Sequence, residues 1–218
     1  AMRLGDSTLR FSDLIGHLQA MPVDVRVLVV DACQSGELTR LKGAQPADPF
    51  DIVTDDRLDS EGLAVITSSS LGEDSQESDR LQGGIFTHHF VAGLMGAADR
   101  SSDGRVTLTE AHAYARDATI RATSAARFVQ HPSFATELRG GTDLVLTRSD
   151  DPGNASALEL ADPGVWLVFD NQTGSMVAEA DLSQPGRLVV PRGEYLVRVR
   201  QPQGVREESI AVGSGESM

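Results

Sequence analysis

Phe11, Leu14, Ile15, Leu18 and Met21 recur at the i, i+3, i+4, i+7 spacing of an amphipathic helix, and Pro22 marks its end. The period then disappears. Val25-Arg26-Val27-Leu28-Val29-Val30 is a nearly continuous β-branched run of the kind a parallel sheet buries on both faces. Asp31-Ala32-Cys33-Gln34-Ser35-Gly36 closes it, and a loop rich in Gly, Pro and Asp covers 37–61. Leu63-Ala64-Val65-Ile66-Thr67 repeats the buried-strand pattern before a polar loop that reaches Gly84. Residues 85–95 and 109–126 predict helices, and Leu144-Val145-Leu146-Thr147 a last short strand. Strands alternating with helices predict an α/β sandwich built on a mainly parallel sheet.

From Arg148 to Ser156 the composition shifts to that of a linker, and beyond it the apolar period becomes two. Residues 165–169, 176–180, 188–190, 195–200 and 209–212 read as short strands separated by Gly, Pro and Asn-Gln-Thr-Gly turns. The expected organisation is an α/β domain over 1–148, a linker over 149–157 and a small all-β, sandwich-like module over 158–218. The module has neither His nor Cys, and its acids are scattered, so no chemistry is assigned to it.

The 218 residues, 40% of them apolar, are enough to bury a sizeable core. One Cys rules out an internal disulfide framework and a Cys-only zinc site. No apolar run approaches the roughly 20 residues of a membrane span, and no signal peptide opens the sequence, so membranes are not expected partners. With the thiol kept reduced, the expected compartment is the cytoplasm. A net charge of −13 argues against nucleic acid as a partner, because phosphate binding needs clustered Lys and Arg. Residues 47–80 carry ten acids against Arg57 and Arg80. Such a stretch is either a solvated acidic loop or a negative field that draws basic ligands.

Cys33 follows a buried strand directly, at the rim where open α/β sheets place their sites. A lone Cys is often a small buried hydrophobe, but Asp31, Gln34, Ser35 and Gly36 surround this one with polar and flexible neighbours. A thiolate nucleophile there would need a His to lower its pKa and to protonate a leaving amine.

The segment 27–36 resembles the nucleophile segment of caspase-like cysteine peptidases, in the form with Asp two residues before Cys that metacaspases, paracaspases and bacterial caspase-like proteins share. Thr67-Ser68-Ser69-Ser70, then Ser75-Gln76-Glu77-Ser78 and Gly84-Ile85-Phe86-Thr87, resemble the downstream part of that domain. So do residues 103–110 and Gln130-His131-Pro132. The likeness covers about residues 3–148 and implies a caspase-like αβα sandwich and cysteine-type endopeptidase activity with no required cofactor. One departure is large. The family's base is a His on the strand end before the nucleophile strand, and His17, the only upstream His, falls within the amphipathic helix. His88, His89, His112 and His131 all come after the nucleophile, on elements that do not carry the base in that family. The expectation is a carboxyl-terminal part of a larger peptidase domain whose amino-terminal part supplies the His and further strands. The alternative is a catalytically inactive pseudopeptidase whose β module binds a partner.

The resemblance also implies a substrate. In metacaspase- and paracaspase-like enzymes the acid matching Asp31 helps to form a pocket for a basic P1 side chain. Asp31 therefore implies cleavage after Arg or Lys, with Glu77, Asp74, Ser68 and Gln76 completing the pocket from the loop beyond the second strand. The alternative for Asp31 is a strand-end residue capping a backbone amide. Arg40 and Lys42 are candidate self-processing sites.

Residues 99–110 fit a second pattern. Asp99, Ser101, Asp103, Thr107 and Glu110 put oxygen donors at positions 1, 3, 5, 9 and 12 of an EF-hand calcium loop, with Gly104 at 6 and Arg105 offering its carbonyl at 7. The competing reading is a Thr107-x-x-Glu110 capping box opening the next helix, with Asp103-Gly104 as an ordinary turn.

Overall fold

A computed structural model describes residues 2–4, 7–32, 45–46, 62–70, 73–81, 83–138, 143–148 and 157–213. In chain order these form β1 (Met2–Leu4), β2 (Ser7–Leu9), α1 (Phe11–Gln19), β3 (Val25–Val30), β4 (Gln45–Pro46), β5 (Gly62–Thr67), β6 (Glu77–Ser78) and β7 (Gly83–Gly84). Next come α2 (Ile85–Ala92), a π-helical turn (Gly93–Ala97), β8 (Arg105–Thr107), α3 (Leu108–Thr123), β9 (Ser133–Thr136) and β10 (Val145–Arg148). The chain continues as β11 (Ala157–Leu160), β12 (Gly164–Asp170), β13 (Met176–Leu182), β14 (Gly186–Val189), β15 (Gly193–Gln201) and β16 (Gly204–Val212). The protein is mixed α/β, and no helix among the described residues is long and apolar enough to cross a membrane.

The chain divides into two compact units, one of Ala1–Gln76 with Thr119–Leu144, the other of Glu77–Ala118 with Val145–Met218. In the first, β3 and β5 run parallel and in register from Val25↔Gly62 to Val30↔Thr67. The sheet continues through β9 to β4, both of these pairings being antiparallel. The mainly parallel sheet expected from the sequence thus holds one parallel pair among the described residues, because apolar runs reveal strands but not their direction. Ile15 of α1 packs with Val30, Leu63 and Val65, and Leu18 and Leu28 close around them. This is the contact the helical spacing at 11–21 anticipates. From Leu63 onward β5 is buried along its whole length. By contrast β3 is half-buried and leaves Val29 40% exposed. The reason is position: among the described residues β3 pairs only with β5 and so ends the sheet. Gly62, at φ +135°, lies where a Cβ would overlap the carbonyl of Glu137, so the entry to β5 admits only glycine.

The second unit joins sequence from both sides of the compositional linker. Its main sheet is antiparallel in the order β13-β12-β15-β16, and β11 pairs separately with β14. The short strand at 145–148 pairs with β8 rather than with the parallel pair. Packing decides the grouping: Thr147 donates to the Leu94 carbonyl at 2.7 Å, and the Tyr114 hydroxyl to the Glu179 carbonyl at 2.6 Å. Arg80 pairs with Glu179 at 3.1 Å. Phe86 and Phe90, one turn apart on α2, stack with centroids 5.6 Å apart. The helix expected to run to residue 95 becomes a π-helical turn after Ala92, where Gly96 takes φ +118° against the Arg187 carbonyl of β14. Any side chain there would collide with the strand's backbone. The strand β11 is not legible in the sequence, since four residues of Ala-Leu-Glu-Leu beside a linker carry too short a pattern.

His112 on α3 is a half-buried group that folding keeps neutral. Burial first, then the Arg116 guanidinium, hold its pKa down to about 4 from 6.5, with Asp117 opposing them. The unfolded chain therefore takes up this proton near pH 6.5 and the folded chain only near 4, so stability falls as pH drops through that window. The loss attributable to this residue is on the order of 3 kcal/mol. Urea denaturation of wild type and His112→Gln between pH 7 and 4 should show the variant losing less stability across the same range.

Candidate active site

The parallel pair ends in step. Val30 is opposite Thr67, and the Ser68 amide donates to the Val30 carbonyl at 2.9 Å, so the ladder runs one bond past the strands. Asp31 emerges from β3 exposed, and Ser68 emerges from β5 fully buried. Cys33, Arg40 and Lys42 lie outside the described residues. The rim thus presents a carboxylate at the end of one strand beside a buried polar backbone at the end of the next.

A single side chain organises the loop after β5. Gln130 is 1% exposed. Its Nε2 donates to the Ser68 carbonyl at 2.7 Å, and its Oε1 accepts from the Gln76 amide at 2.9 Å. Its own amide donates to Thr123 Oγ1 at 3.0 Å. Gln76 in turn donates from Nε2 to the Phe128 carbonyl at 2.7 Å. The Ser68 and Ser75 hydroxyls are hydrogen-bonded to each other. Beside this frame, the Glu73 carboxylate receives both the amide and Nδ1 of His131, each at 2.8 Å. The Ser70 hydroxyl donates to the His131 carbonyl at 2.8 Å and meets Ser133 Oγ at 2.9 Å. Residues 130–133 therefore hold the loop after β5 at both its ends.

The sequence-derived candidates fall unevenly on this geometry. Asp31 and Ser68 share the rim, and Gln130 joins Ser68 to Gln76. Asp74 sits on the same loop, exposed and without a hydrogen-bond partner among the described residues. Glu77, also exposed, opens β6 in the other unit. The frame residues Gln130, Glu73 and His131 are not among the candidates. Gln130-His131-Pro132 stands out only through resemblance, because nothing in local periodicity marks a residue that acts by bridging distant segments. Exposed carboxylates on a rim of neutral hydroxyls and amides make a local negative field suited to a cationic side chain. Compared with protein-family models, curated proteins and solved structures, the chain matches none.

The loop at 99–110 is built from its own hydrogen bonds. Asp99 accepts from the amides of Asp103 at 3.2 Å and Gly104 at 2.9 Å, and Asp103 from the amide of Arg105 at 2.9 Å. Glu110 is buried. Its Oε2 accepts from the Thr107 amide and hydroxyl, both at 3.1 Å, while Thr107 Oγ1 accepts from the Glu110 amide at 3.3 Å. That reciprocity is a capping box at the start of α3. Glu110 Oε1 also receives the Ser101 amide at 3.3 Å, so both carboxylate oxygens are engaged by the loop itself. Among the described residues no group of three or more His, Cys, Asp or Glu converges as a metal-ligand set.

Two stability measurements test these arrangements. Gln130→Leu removes a partner from the Ser68 carbonyl and from the Gln76 amide, and should cost about 2–6 kcal/mol in denaturant unfolding, from two groups at roughly 1–3 kcal/mol each. Glu110→Ala should cost about 1–2 kcal/mol whether or not calcium is present. A calcium-dependent rise in Tm that Glu110→Gln abolishes would instead place a cation on the loop.

Proposed function

We propose that the chain is the nucleophile-bearing part of a caspase-like cysteine endopeptidase that cleaves after Arg or Lys. The observation carrying this reading is Asp31, exposed at the carboxyl end of a parallel strand pair and two residues before Cys33. The likeness of residues 27–36 to the family's nucleophile segment supports it, as does a downstream loop held at the same rim.

In this reading the Cys33 thiolate attacks the scissile carbonyl carbon, and backbone amides near Cys33 hold the oxyanion. A His from the amino-terminal part of the domain receives the thiol proton and passes it to the leaving amine. The C–N bond breaks as the thioester forms, and water then hydrolyses the thioester to release the acid and free the thiol. Asp31 receives the P1 cation, with Asp74 adding to the field. A carboxylate facing a guanidinium or ammonium group discriminates against an acidic P1 residue, which would meet like charge.

Peptide cleavage by the full-length gene product tests the proposal. Substrates with Arg or Lys at P1 should be cut, and Cys33→Ala should abolish turnover. Asp31→Asn should lower kcat/KM on the Arg substrate by about 2–4 kcal/mol, roughly thirty- to a thousandfold. Equal cleavage after Asp and Arg would sink the Asp31 pocket. Absence of any Cys33-dependent turnover would favour a pseudopeptidase scaffold.

A further inference from the structure

A cavity of about 440 Å³ opens in the second unit between two strand edges. Its walls are the four residues of β11 and five consecutive residues, 208–212, of β16, with Trp166 and Val197 between them. Consecutive residues point to alternate faces of a strand, so a cavity touched by all of them runs along the backbone edges rather than over one face. Among the described residues β11 pairs only with β14 and β16 only with β15. Two open edges therefore face one slot.

The strand edges select the occupant. Backbone groups spaced along two strand edges are met in register by an extended chain, which repeats their spacing, and not by a helix.

Chemistry selects it further. In the β15–β16 ladder Glu208 is opposite Val197 and Ile210 opposite Tyr195. Directly opposed residues share a face, and Val197 and Tyr195 are each 3% exposed, so Glu208 and Ile210 lie on the inward side of the edge strand. The neighbouring charges are already matched. Arg206 pairs with Asp162 at 2.9 Å, Glu207 with Arg198, and Glu159 with Arg187 at 3.1 Å. Glu208 has no partner among the described residues. An unmatched carboxylate on the inward side of an apolar slot fits a side chain with an apolar stem and a cationic end.

We propose that this slot binds an extended peptide segment, which adds a strand to the β16 edge and places a Lys or Arg side chain on Glu208. The mode is strand addition: main-chain bonds supply affinity, and the Glu208 position supplies preference for a cation. The inference is independent of the peptidase reading, since it uses neither Cys33 nor the rim of β3 and β5.

Trp166 is the chain's only Trp and lies in the cavity wall, so its fluorescence reports occupancy directly. The whole chain is titrated with an acetylated, amidated threonine-valine-arginine-valine-threonine peptide and with its glutamate-centred analogue, at one near-physiological ionic strength. The arginine peptide should give a saturable change and bind at least about tenfold tighter than the analogue, a difference near 1.4 kcal/mol. Glu208→Gln, at an exposed position that leaves the fold intact, should remove that difference while the thermal transition stays in place. Amide hydrogen exchange at 208–212 should slow when the arginine peptide is bound. Failure of both peptides to saturate, equal affinity for the two, a preference that survives Glu208→Gln, or binding without slowed exchange would each overturn the proposal.

Discussion

A carboxamide shut away from water must find a partner for each of its polar atoms, or the group it leaves unpaired costs more than the bond would have gained. Gln130 meets that demand by drawing on three segments. Ser68 lies at the end of β5, Gln76 at the far end of the adjoining loop, and Thr123 in the last turn of α3, where its hydroxyl also donates to the Thr119 carbonyl at 2.8 Å. The His131–Glu73 pair beside it has side chains 48% and 31% exposed, and water weakens it accordingly. The shape of the loop that carries Asp74 thus depends on one satisfied amide. Asp31 has a fixed neighbour because that amide keeps Ser68 in place.

How far the sequence leads depends on the range of the interaction. Helix α1 and strands β3 and β5 were legible because their patterns are local and their burial nearly one-sided or complete. The Thr107–Glu110 box was legible because capping acts within one turn. Strands β8 and β9 were not, being only three and four residues long, and neither were their antiparallel pairings with β10 and β5, because register between distant strands leaves no periodic trace in either one. Gln130 was hidden for the same reason. Cys33, the residue with the clearest sequence signal, falls outside the described residues, so its chemistry rests on the neighbours that flank it.

The second unit shows why composition is an imperfect guide to folding units. The polar stretch after Arg148 looks like a boundary, yet residues 77–118 and 145–213 share hydrogen bonds, an ion pair and a core. Gly96 is the tightest of these joins. It admits no side chain because the backbone of β14 already occupies that space. A cut at the linker would therefore expose the apolar residues of α2 and α3 instead of separating two finished domains.

An open strand edge is a hazard as well as an opportunity, since any chain with a matching edge can zip onto it. Proteins protect such edges with charge, and a charge turned inward is among the more effective devices. Glu208 occupies that position on β16. A second copy of this protein, itself strongly anionic, would have to bring its own backbone past a carboxylate of like sign to the charge it carries. In the proposed slot, the side chain that receives a cationic guest would therefore also oppose edge-to-edge pairing of the vacant strand, one carboxylate serving both ends.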